Sequence, residues 1–418
     1  MSRSKKIDVI PIEQSELNTI QMDYSTKTRK ELMNICKEHG IKGFSTKKKN
    51  ELVELLQNHN TNKETQTQTQ TLSQSLPTYS KIDNKQLNMI DLFAGTGAFT
   101  LAFESIYSVN VENIVNFTKV VNVVFANDMV ENSKKIYDTN FNHTLTLKNL
   151  NEVCVEDIPR HDILTGGFPC QPFSIAGHRE GFQDERSNVF WKILSIIDHH
   201  EPSCVILENV KNLLSHDDKK TFEVIKSNLE KRGYHIRYKV LNTAEITGIP
   251  QHRERIYIVC LKSKDLFDKF NLDFPKIPKK SIQEFLETPN KIASKYYYTN
   301  KSSTWRLLQE AVTKKNTIYQ YRRVYVRENK SSECPTLTAN MGSGGHNVPI
   351  ILDDKGIRKL TPRECFNFQG FPASYQLPDV SDSHLYKLAG NAVSVPVVKL
   401  IADRLIPLLL LTKQDVKE

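Results

Sequence analysis

Short apolar runs that each end in a polar or glycine-containing turn recur through the central part of this sequence. Most are rich in Val and Ile, and a polar or helix-like segment follows each; they lie at residues 88–93, 120–126, 161–165, 204–207 and 255–261. Such runs are typical of buried strands in a parallel sheet that helices cover on both faces. The alternation predicts an α/β fold with a doubly wound, mostly parallel sheet. Ligands of such sheets bind beyond the carboxyl ends of the strands, where the unusual residues of this sequence lie.

Two short helices joined by a glycine turn are predicted near the amino terminus, over residues 24–58. Apolar residues recur there at helical spacing, namely Leu32, Ile35, Cys36, Leu52, Leu55 and Leu56. The basic residues Lys47, Lys48 and Lys49 are candidate DNA contacts. The arrangement resembles the SAP motif, a helix–extended–helix DNA-binding module, and a generic two-helix cap with a solvated basic face is the alternative. Residues 60–86 are polar and rich in Thr and Gln, which predicts a flexible linker.

Composition argues against several classes of protein. No apolar run of about 18 residues occurs, so a membrane span is not predicted for the 418 residues. The seven cysteines are scattered without a C-x-x-C pair, which argues against a zinc ribbon or a disulfide framework and favours a reducing, intracellular compartment. No metal site is predicted. The formal net charge of +9 hints at nucleic acid without locating the charge.

A glycine loop follows the first apolar run and reads Phe93-Ala94-Gly95-Thr96-Gly97. Glycine lets the backbone adopt positive φ and approach a ligand closely. The loop is not a Walker loop, since no G-K-[ST] follows. Asp128, at the end of the next run, is suited to hydrogen-bond a ribose diol. Taken alone, these two features are explained equally well by a tight turn and a surface aspartate.

Three further segments carry candidate catalytic side chains. Cys170 lies between two prolines past the third run, where a stiff loop can hold a thiol over a ligand; a buried structural cysteine is the alternative. Glu208 directly follows the fourth run. Arg253 and Arg255 alternate as the fifth run begins, which puts both side chains on one face of a strand. Each of these charged residues alone is more often a solvated charge than a catalytic group.

In this order, the segments resemble the DNA (cytosine-5)-methyltransferase family: a glycine loop, an acidic strand end, Pro-Cys-Gln, Glu-Asn-Val and Gln-x-Arg-x-Arg. Residues 358–372 and 388–396 look like the ninth and tenth conserved blocks of that family, so the resemblance spans about residues 88–405. It implies the class I S-adenosylmethionine-dependent methyltransferase fold. The implied parts are a catalytic and cofactor-binding domain at 87–260, a smaller target-recognition domain at 261–357 and a return to the catalytic domain at 358–410.

The resemblance also implies a reaction. A methyl group passes from S-adenosylmethionine to carbon 5 of a cytosine that has flipped out of a specific short duplex DNA sequence. Cys170 is the implied nucleophile at C6. Glu208 bonds cytosine N3 and the exocyclic amine, and Arg255 contacts O2, with Arg253 a weaker candidate for the same place. The implied cofactor-binding residues are Phe93, Ala94, Gly95, Thr96, Gly97, Asp128, Asp157, Ile158, Pro169 and Asn391.

The basic charge lies outside the catalytic part of the sequence. Residues 260–357 hold 17 Lys and Arg against 10 Asp and Glu, residues 1–86 hold 14 against 10, and the rest hold 26 against 28. Arginines and polar loop tips can read base edges. The candidate DNA-reading residues in the recognition region are Arg322, Arg323, Thr336, Leu337 and Thr338. Phosphate contact alone is the alternative for the arginines. Double-stranded DNA is the predicted partner, bound by a monomer.

The resemblance favours DNA methylation, in a restriction–modification or related role. Two other functions are alternatives to it. A transfer-RNA cytosine methyltransferase would carry a Cys-Phe-Thr-x-x-Tyr-x-x-Tyr signature, which this sequence lacks, and no long recognition region. A catalytically silent DNA-binding adaptor has no need of intact Cys170, Glu208 and Arg255. In the loop after Cys170, Gly177 and Gly181 are predicted hinges for closure on DNA.

Overall fold

The fold is known from a computed structural model that describes residues 28–38, 47–53, 86–104, 107–111, 114–169, 188–322, 324–343 and 348–412. The chain divides into two units, Met1–Ser80 and Lys81–Glu418. Several predictions lie outside the described residues: Cys170, the hinges Gly177 and Gly181, Arg323 and nearly all of the linker at 60–86.

The described part of the first unit is helical. Helix α1 spans Arg29–Glu38, and residues 49–53 are also helical. Leu32, Cys36 and Leu52 are fully buried in one small apolar cluster. Arg29 Nε donates a hydrogen bond to the Lys47 carbonyl at 2.9 Å, which ties the two helical segments together. Helices are therefore present where the apolar spacing predicts them, and the resemblance to a SAP motif stays a prediction.

A seven-stranded sheet forms the centre of the second unit. Its strands in spatial order are β5 (Thr146–Leu147), β4 (Val121–Asp128), β1 (Leu87–Leu92), β6 (Ile163–Gly167), β7 (Cys204–Val210), β9 (Glu254–Leu261) and β8 (His235–Asn242). The first five pair in parallel, and β9 is antiparallel to both of its neighbours. All five predicted strands are present, and the predicted mostly parallel sheet is confirmed.

Helices cover both faces of this sheet. Successive side chains of a strand point to opposite faces, and on β7 Cys204 and Ile206 enter one apolar cluster while Val205 and Leu207 enter another. The first cluster includes side chains of α2 (Ala98–Phe103), α3 (Glu131–Asn140) and α11 (Val395–Thr412). The second includes side chains of α4 (Asn188–His200) and α5 (Lys220–Glu230). The layers are those of a doubly wound α/β domain.

The order of the strands sets the place of the site. The chain runs outward from β1 to β4 and β5, then crosses to β6 on the other side of β1. The topological switch point therefore lies between β1 and β6, at the carboxyl edge where such sheets bind ligands. Because β9 is antiparallel, it begins at this same edge, and Arg255 pairs with Val210 at the end of β7.

A smaller antiparallel sheet lies within the predicted recognition region. Its order is β11 (Tyr325–Asn329), β10 (Ile318–Arg322), β12 (Ile350–Leu352) and β13 (Ile357–Lys359), so the last strand spans the predicted boundary at residue 357. One face packs on helix α8 (Trp305–Ala311) through a cluster that includes Leu308, Tyr319 and Ile350. A separate hairpin joins β2 (Tyr107–Val111) and β3 (Ile114–Thr118).

Four further α-helices of four to ten residues complete the second unit as described. They are α6 (Thr243–Ile246), α7 (Lys264–Lys269), α9 (Pro362–Phe368) and α10 (Asp382–Asn391). Helix α9 begins with a capping box, in which the Thr361 hydroxyl accepts from the Glu364 amide and the Glu364 carboxylate accepts from the Thr361 amide. Within the described ranges, no helix combines the length and apolar character that crossing a bilayer requires.

Candidate active site

A buried carboxyl group lies at the end of β7. Glu208 is 8% exposed and pairs in register with Gly167 at the end of β6. Its Oε1 atom is buried and accepts no hydrogen bond from any described residue. Burial raises the pKa of the Glu208 carboxyl above its ordinary value, and the charges of Arg255 and Arg253 oppose that rise. The group is therefore better suited than a solvated carboxylate to hold a proton, and its Oε1 has no hydrogen-bond donor among the residues that the structure describes.

The antiparallel strand β9 supplies the cation beside this carboxyl group. Arg255 Nε lies 3.3 Å from Glu208 Oε1, and both side chains are mostly buried. Arg255 Nη1 donates to the Glu254 carbonyl at 2.8 Å, which fixes the guanidinium. The predicted pair of Glu208 and Arg255 is thus brought together by a strand pairing that sequence spacing alone does not give.

Arg253 has different partners from Arg255: it lies just before β9 begins, whereas Arg255 lies within the strand. It is 2% exposed. Its guanidinium donates to the carbonyl oxygens of Leu337 at 3.0 Å, Gly390 at 3.3 Å and Ala392 at 2.7 Å. In this arrangement Arg253 fastens the segment around Leu337 and the end of α10 to the main sheet. A role in contact with the base stays a prediction for Arg253.

Gln251 belongs to the sequence motif but was not selected as a site residue. Like Arg253, it holds the segment around Leu337. Its side-chain amide donates to the Phe368 carbonyl at 2.6 Å, and its Oε1 accepts from the Leu337 amide at 3.5 Å. The backbone carbonyl of Cys334 accepts from the His252 amide at 2.8 Å. A Cβ added to Gly390 would lie 2.2 Å from the Thr338 carbonyl, so only glycine allows this close approach. The segment 334–338 is therefore held against the edge of the seven-stranded sheet where β9 begins.

The loop that leads to Cys170 is anchored from the neighbouring strand. Asn209 Nδ2 donates to the Phe168 carbonyl at 2.9 Å, and both residues are buried. Pro169 follows and is exposed at the edge of the sheet. Cys170 itself lies outside the described residues. Sequence reasoning selected Glu208 from the Glu-Asn-Val motif and missed Asn209. The position of Asn209 directly after the carboxylate is the sequence feature that could have identified it.

The glycine loop after β1 adopts the backbone that its sequence predicts. Phe93, Gly95 and Gly97 have φ of 55°, 54° and 68°, and a Cβ added to Gly97 would lie 2.3 Å from the Phe141 ring. Asp128 Oδ2 accepts from the Gly95 amide at 3.0 Å, and Oδ1 accepts from the Val130 amide at 2.8 Å. Burial raises the pKa of Asp128, and these amides oppose the rise. The predicted loop and its acidic partner are therefore joined directly.

The other predicted cofactor residues differ in exposure. Ala94, Thr96 and Ile158 are buried, whereas Asp157 and Asn391 are exposed, the latter as the last residue of α10. The hydroxyl of Thr96 is buried and has no hydrogen-bond partner among the residues that the structure describes. Its carbonyl accepts from the Tyr375 hydroxyl at 2.7 Å, across 279 positions of sequence.

Asp91, inside β1, is a buried carboxyl group that sequence reasoning did not select. It is fully buried; its Oδ2 accepts from the Thr100 hydroxyl at 2.9 Å and its Oδ1 from the Thr165 hydroxyl at 3.0 Å. Burial raises the pKa of Asp91 to about 6, and the hydrogen bonds of Thr100 and Thr165 oppose the rise. Asp91 therefore joins β1 to α2 and β6, the elements that border the switch point.

A groove of about 800 Å³ lies beside the smaller antiparallel sheet of β10 to β13, which we call the recognition sheet after the predicted recognition region. Three of the predicted DNA-reading residues, Arg322, Thr336 and Thr338, line it, while Leu337 between the two threonines is fully buried. Residues that sequence reasoning missed also line it, namely His252, Gln320, Arg327, Lys330 and Asn340.

The other candidate DNA contacts, Lys47, Lys48 and Lys49, belong to the first unit, where Lys48 and Lys49 are exposed.

The fold and the site together define the class of the protein. A seven-stranded sheet of this order, a glycine loop at the switch point and a buried Glu–Arg pair at the same edge belong to an α/β methyltransferase. The solved Dnmt2 methyltransferase of S. pombe is similar over 77% of this chain and 99% of its own, at 23% identity and a TM-score of 0.58. The Entamoeba histolytica methyltransferase EhMeth covers 80% of this chain with a TM-score of 0.56 at 22% identity, so both likenesses show the fold.

Sequence comparison gives the family. Residues 87–407 match the model of the C-5 cytosine-specific DNA methylases, and the chain belongs to this family. It is 46% identical over 321 residues to the type II methyltransferase M.Bsp6I of Bacillus sp. (strain RFL6), which covers 76% of this chain and 98% of that protein. It is 36% identical to M.HaeII of Haemophilus aegyptius, across 77% of this chain and 93% of that one. The protein is a DNA (cytosine-5)-methyltransferase, as the sequence motifs predict.

The amino-terminal unit gives a different match. Residues 23–64 match the model of the Rho termination factor amino-terminal domain. The match covers the predicted helix pair and names another module than the SAP motif, which therefore stays a prediction.

Proposed function

We propose that this enzyme methylates carbon 5 of cytosine in one short sequence of duplex DNA, with S-adenosylmethionine as the methyl donor. The observation that carries the proposal is the buried Glu208 carboxyl beside Arg255. Its pKa is raised, and its Oε1 lies 3.3 Å from Arg255 Nε without a hydrogen-bond donor among the described residues. Cytosine C5 is a poor nucleophile, so the ring needs a nucleophile at C6 and a proton donor at N3. A carboxyl group whose pKa is raised by burial is better suited to supply that proton than a solvated carboxylate is.

The proposed steps use three side chains. The Cys170 thiolate adds to C6, the C5–C6 π electrons move toward C5, and the Glu208 proton is shared with N3 as negative charge develops on the ring. Arg255 binds O2 and holds Glu208 in place. After methyl transfer the C5 proton leaves to water, and the electron pair of that C–H bond expels the thiolate to give 5-methylcytosine. Asn209 supports the nucleophile by holding the Phe168 carbonyl, two residues before Cys170.

The residues at the switch point fit S-adenosylmethionine. Asp128 is a fixed carboxylate for the ribose hydroxyls, and Phe93, packed against the cluster that includes the buried Ile158, offers apolar surface for the adenine. The buried Thr96 hydroxyl, which has no hydrogen-bond partner among the described residues, is the kind of polar atom that a ligand satisfies. Bound there, the cofactor supplies an electrophilic methyl group. Gly95, Gly97, Asp157, Pro169 and Asn391 complete the proposed set, of which Asp157 and Asn391 are the exposed members.

Duplex DNA is the proposed substrate form, read through the groove beside the recognition sheet. Arginine and polar side chains line this groove, and together they match the phosphates and base edges of a duplex. The relatives are type II methyltransferases. We infer the same role for this chain, with a short recognition sequence and one protein chain bound to each site.

Methyl transfer from labelled S-adenosylmethionine to unmethylated plasmid DNA tests the proposal, with bisulfite mapping of the product. We expect label at cytosine C5 in one sequence context and its loss with Cys170→Ser. Cys154→Ser is the matched control, because Cys154 is exposed and its thiol contacts only Glu156 among the described side chains. Label on transfer RNA instead of DNA would favour the RNA hypothesis, and DNA binding without any label would favour a silent adaptor.

A further inference from the structure

A continuous run of hydrogen bonds connects the buried Asp91 carboxyl group to a histidine nearer the surface. The Thr100 hydroxyl oxygen lies 2.9 Å from Asp91 Oδ2 and 2.9 Å from the Tyr137 hydroxyl oxygen. The Tyr137 oxygen lies 3.4 Å from His143 Nδ1, which is the longest link of the run. Asp91, Thr100 and Tyr137 are fully buried, whereas the His143 side chain is 24% exposed. We call these four residues the His143 network.

Further charged side chains lie at the outer end of the network. His143 Nε2 lies 3.0 Å from Glu104 Oε1, which also lies 2.5 Å from Lys119 Nζ. Burial acts to raise the pKa of Glu104, but the bonds to His143 and Lys119 outweigh it, and the pKa lies below its ordinary value. Because an ionised carboxylate only accepts hydrogen bonds, His143 Nε2 carries a proton, and Nδ1 is left to face Tyr137.

The two hydroxyl groups in the middle of the network can act in either direction. Burial raises the pKa of Tyr137, and the charge of Asp91 adds to the rise, so the phenol stays protonated. Tyr375 contributes a smaller part of that rise, and burial raises the pKa of its own hydroxyl. A hydroxyl group donates one hydrogen bond while it accepts another. Thr100 and Tyr137 therefore point their protons in the direction that the two ends of the network set.

The inner end of the network holds the glycine loop. Asp91 precedes the loop on β1, and its Oδ2 also accepts from the Thr100 amide at 3.3 Å, in the first turn of α2. A Cβ added to Gly97 would lie 2.9 Å from the Tyr137 ring. The protonation state of Asp91 therefore bears directly on how the loop is held.

We propose that this network carries a proton between His143 and Asp91, which makes Tyr137 and His143 positioning residues for the cofactor that the glycine loop holds. The inference rests on the proposed function, which places S-adenosylmethionine at this loop. In one state, the His143 imidazolium donates from Nδ1 to Tyr137, and Tyr137 donates to Thr100. The Thr100 hydroxyl then donates to the ionised Asp91.

The other state of the network follows when each proton moves one link toward Asp91. The Nδ1 proton of His143 passes to the Tyr137 oxygen, and the former Tyr137 proton passes to Thr100. The former Thr100 proton passes to Asp91 Oδ2. All three hydrogen bonds persist in the reversed direction, His143 becomes neutral, and Asp91 becomes an uncharged acid.

The two states hold the loop with different strength. The ionised Asp91 accepts from the Thr100 amide and from the hydroxyls of Thr100 and Thr165, and hydrogen bonds to a charged acceptor are stronger than neutral ones. Its negative charge also favours the positive sulfonium of S-adenosylmethionine over the neutral thioether of S-adenosylhomocysteine. Burial raises the pKa of Asp91 to about 6, so we expect S-adenosylmethionine to bind more tightly as the pH rises through this value.

Isothermal titration of the full-length protein with each of these two ligands, between pH 5 and pH 8, tests the inference. If only the ionised form of Asp91 binds well, wild type should bind S-adenosylmethionine about 10-fold more weakly at pH 5 than at pH 7, and S-adenosylhomocysteine should change less. His143→Gln removes the positive charge, so the midpoint of this change should rise by about 0.5 to 1 pH unit. Asp128, which also bonds to the loop, is the same in every variant, so its titration cancels from the comparison.

A double-substitution cycle separates the network from attraction through space. Tyr137→Phe keeps the ring against Gly97 and removes the linking hydroxyl. In that background, His143→Gln should move the midpoint much less than it does in wild type, because no hydroxyl links the two ends. Tyr234→Phe is the matched control and should keep the wild-type profile, since Tyr234 is buried and its hydroxyl donates to the Pro202 carbonyl at 2.6 Å.

Nuclear magnetic resonance of the cofactor-free protein gives a readout that needs no ligand. The His143 ring signals are assigned by their loss in His143→Gln. In wild type they should titrate in two steps, because groups that share a proton titrate as a linked pair. Tyr137→Phe should leave a single step.

The outcomes distinguish failure of the inference from failure of the function. If wild type binds S-adenosylmethionine equally at pH 5 and pH 7, or if His143→Gln moves the midpoint equally with and without the Tyr137 hydroxyl, the inference is wrong and the proposed function stands. A single step in wild type, or two steps in Tyr137→Phe, also overturns the inference. If wild type binds neither ligand, the proposed function fails, and the magnetic resonance titration still decides whether the proton is shared.

Discussion

Two groups of arginines make opposite use of the same side chain. Just before β9, Arg253 is almost completely buried and donates to three backbone carbonyls. On the hairpin of the recognition sheet, Arg322 and Arg327 are exposed along an open groove. The buried arginine has its partners within the protein, while the exposed ones are proposed to meet DNA. The main sheet is thus preorganised at this edge, and under the proposed function the groove beside the smaller sheet is completed by the substrate.

The largest effect is expected at the preorganised edge itself. Glu208→Gln keeps the shape of the side chain but removes the carboxyl proton that, in the proposed mechanism, is shared with cytosine N3. We expect kcat to fall on the order of 10²- to 10³-fold, measured as initial rates at saturating DNA and cofactor. Glu254→Gln is the control, since Glu254 is partly exposed beside Lys211. Equal rates for Glu208→Gln and wild type would contradict the proton-donor role.

Replacement of Arg253 tests whether the buried arginine stabilises the fold. Arg253→Met leaves the carbonyls of Leu337, Gly390 and Ala392 without their donor in a buried place. We expect the free energy of unfolding to fall by about 3 kcal/mol, measured by urea denaturation. Arg327→Met on the open groove should change it by less than about 0.5 kcal/mol. If both substitutions cost the same, the distinction between the two groups of arginines is wrong.

Asp91 predicts a pH dependence of stability. Its pKa is about 6 in the folded protein against an ordinary 3.8, so the folded state holds the proton more tightly than the unfolded state. The stability that this proton contributes is complete below about pH 4 and is lost as the pH rises through about 6. Asp91→Asn does not titrate.

The expected stability of Asp91→Asn relative to wild type therefore increases by about 2–3 kcal/mol between pH 4 and pH 7. Urea unfolding across this range measures it. Asp354→Asn, on the surface beside Lys315, serves as the control. A difference between Asp91→Asn and wild type that is constant over the range would show that the buried carboxyl group does not titrate there.

The smallest effect is expected on the recognition sheet. Arg327→Ala removes one cation from the groove, so the slope of log Kd against log salt should fall by about 1 if Arg327 meets a phosphate. The mapped methylation site should stay the same. Relaxed discrimination at one base pair with an unchanged slope would instead assign Arg327 to a base edge.

The sequence predicts the main sheet well because its strands are short, buried apolar runs. Strand β8 was not predicted, since His235–Asn242 carries charged residues and is only partly buried. Glu208 and Arg255 were found through their motifs, but the partners of Arg253 lie 84 to 139 positions away, beyond the reach of spacing. Gln320 and Arg327 were missed because the sequence between β10 and β11 carries no strong hairpin signal.

The attachment of the segment 334–338 has a consequence for change over evolutionary time. Cys334 and Leu337 meet Gln251, His252 and Arg253 largely through amide and carbonyl groups, which every residue type possesses. Thr336 also docks through its side chain, because its hydroxyl donates to the His252 carbonyl at 2.6 Å, whereas the hydroxyl of the exposed Thr338 donates to Asn340. A segment with a different polar side chain at position 338 can therefore dock in the same way. Under the proposed function, new target sequences can arise by that exchange without redesign of the catalytic residues.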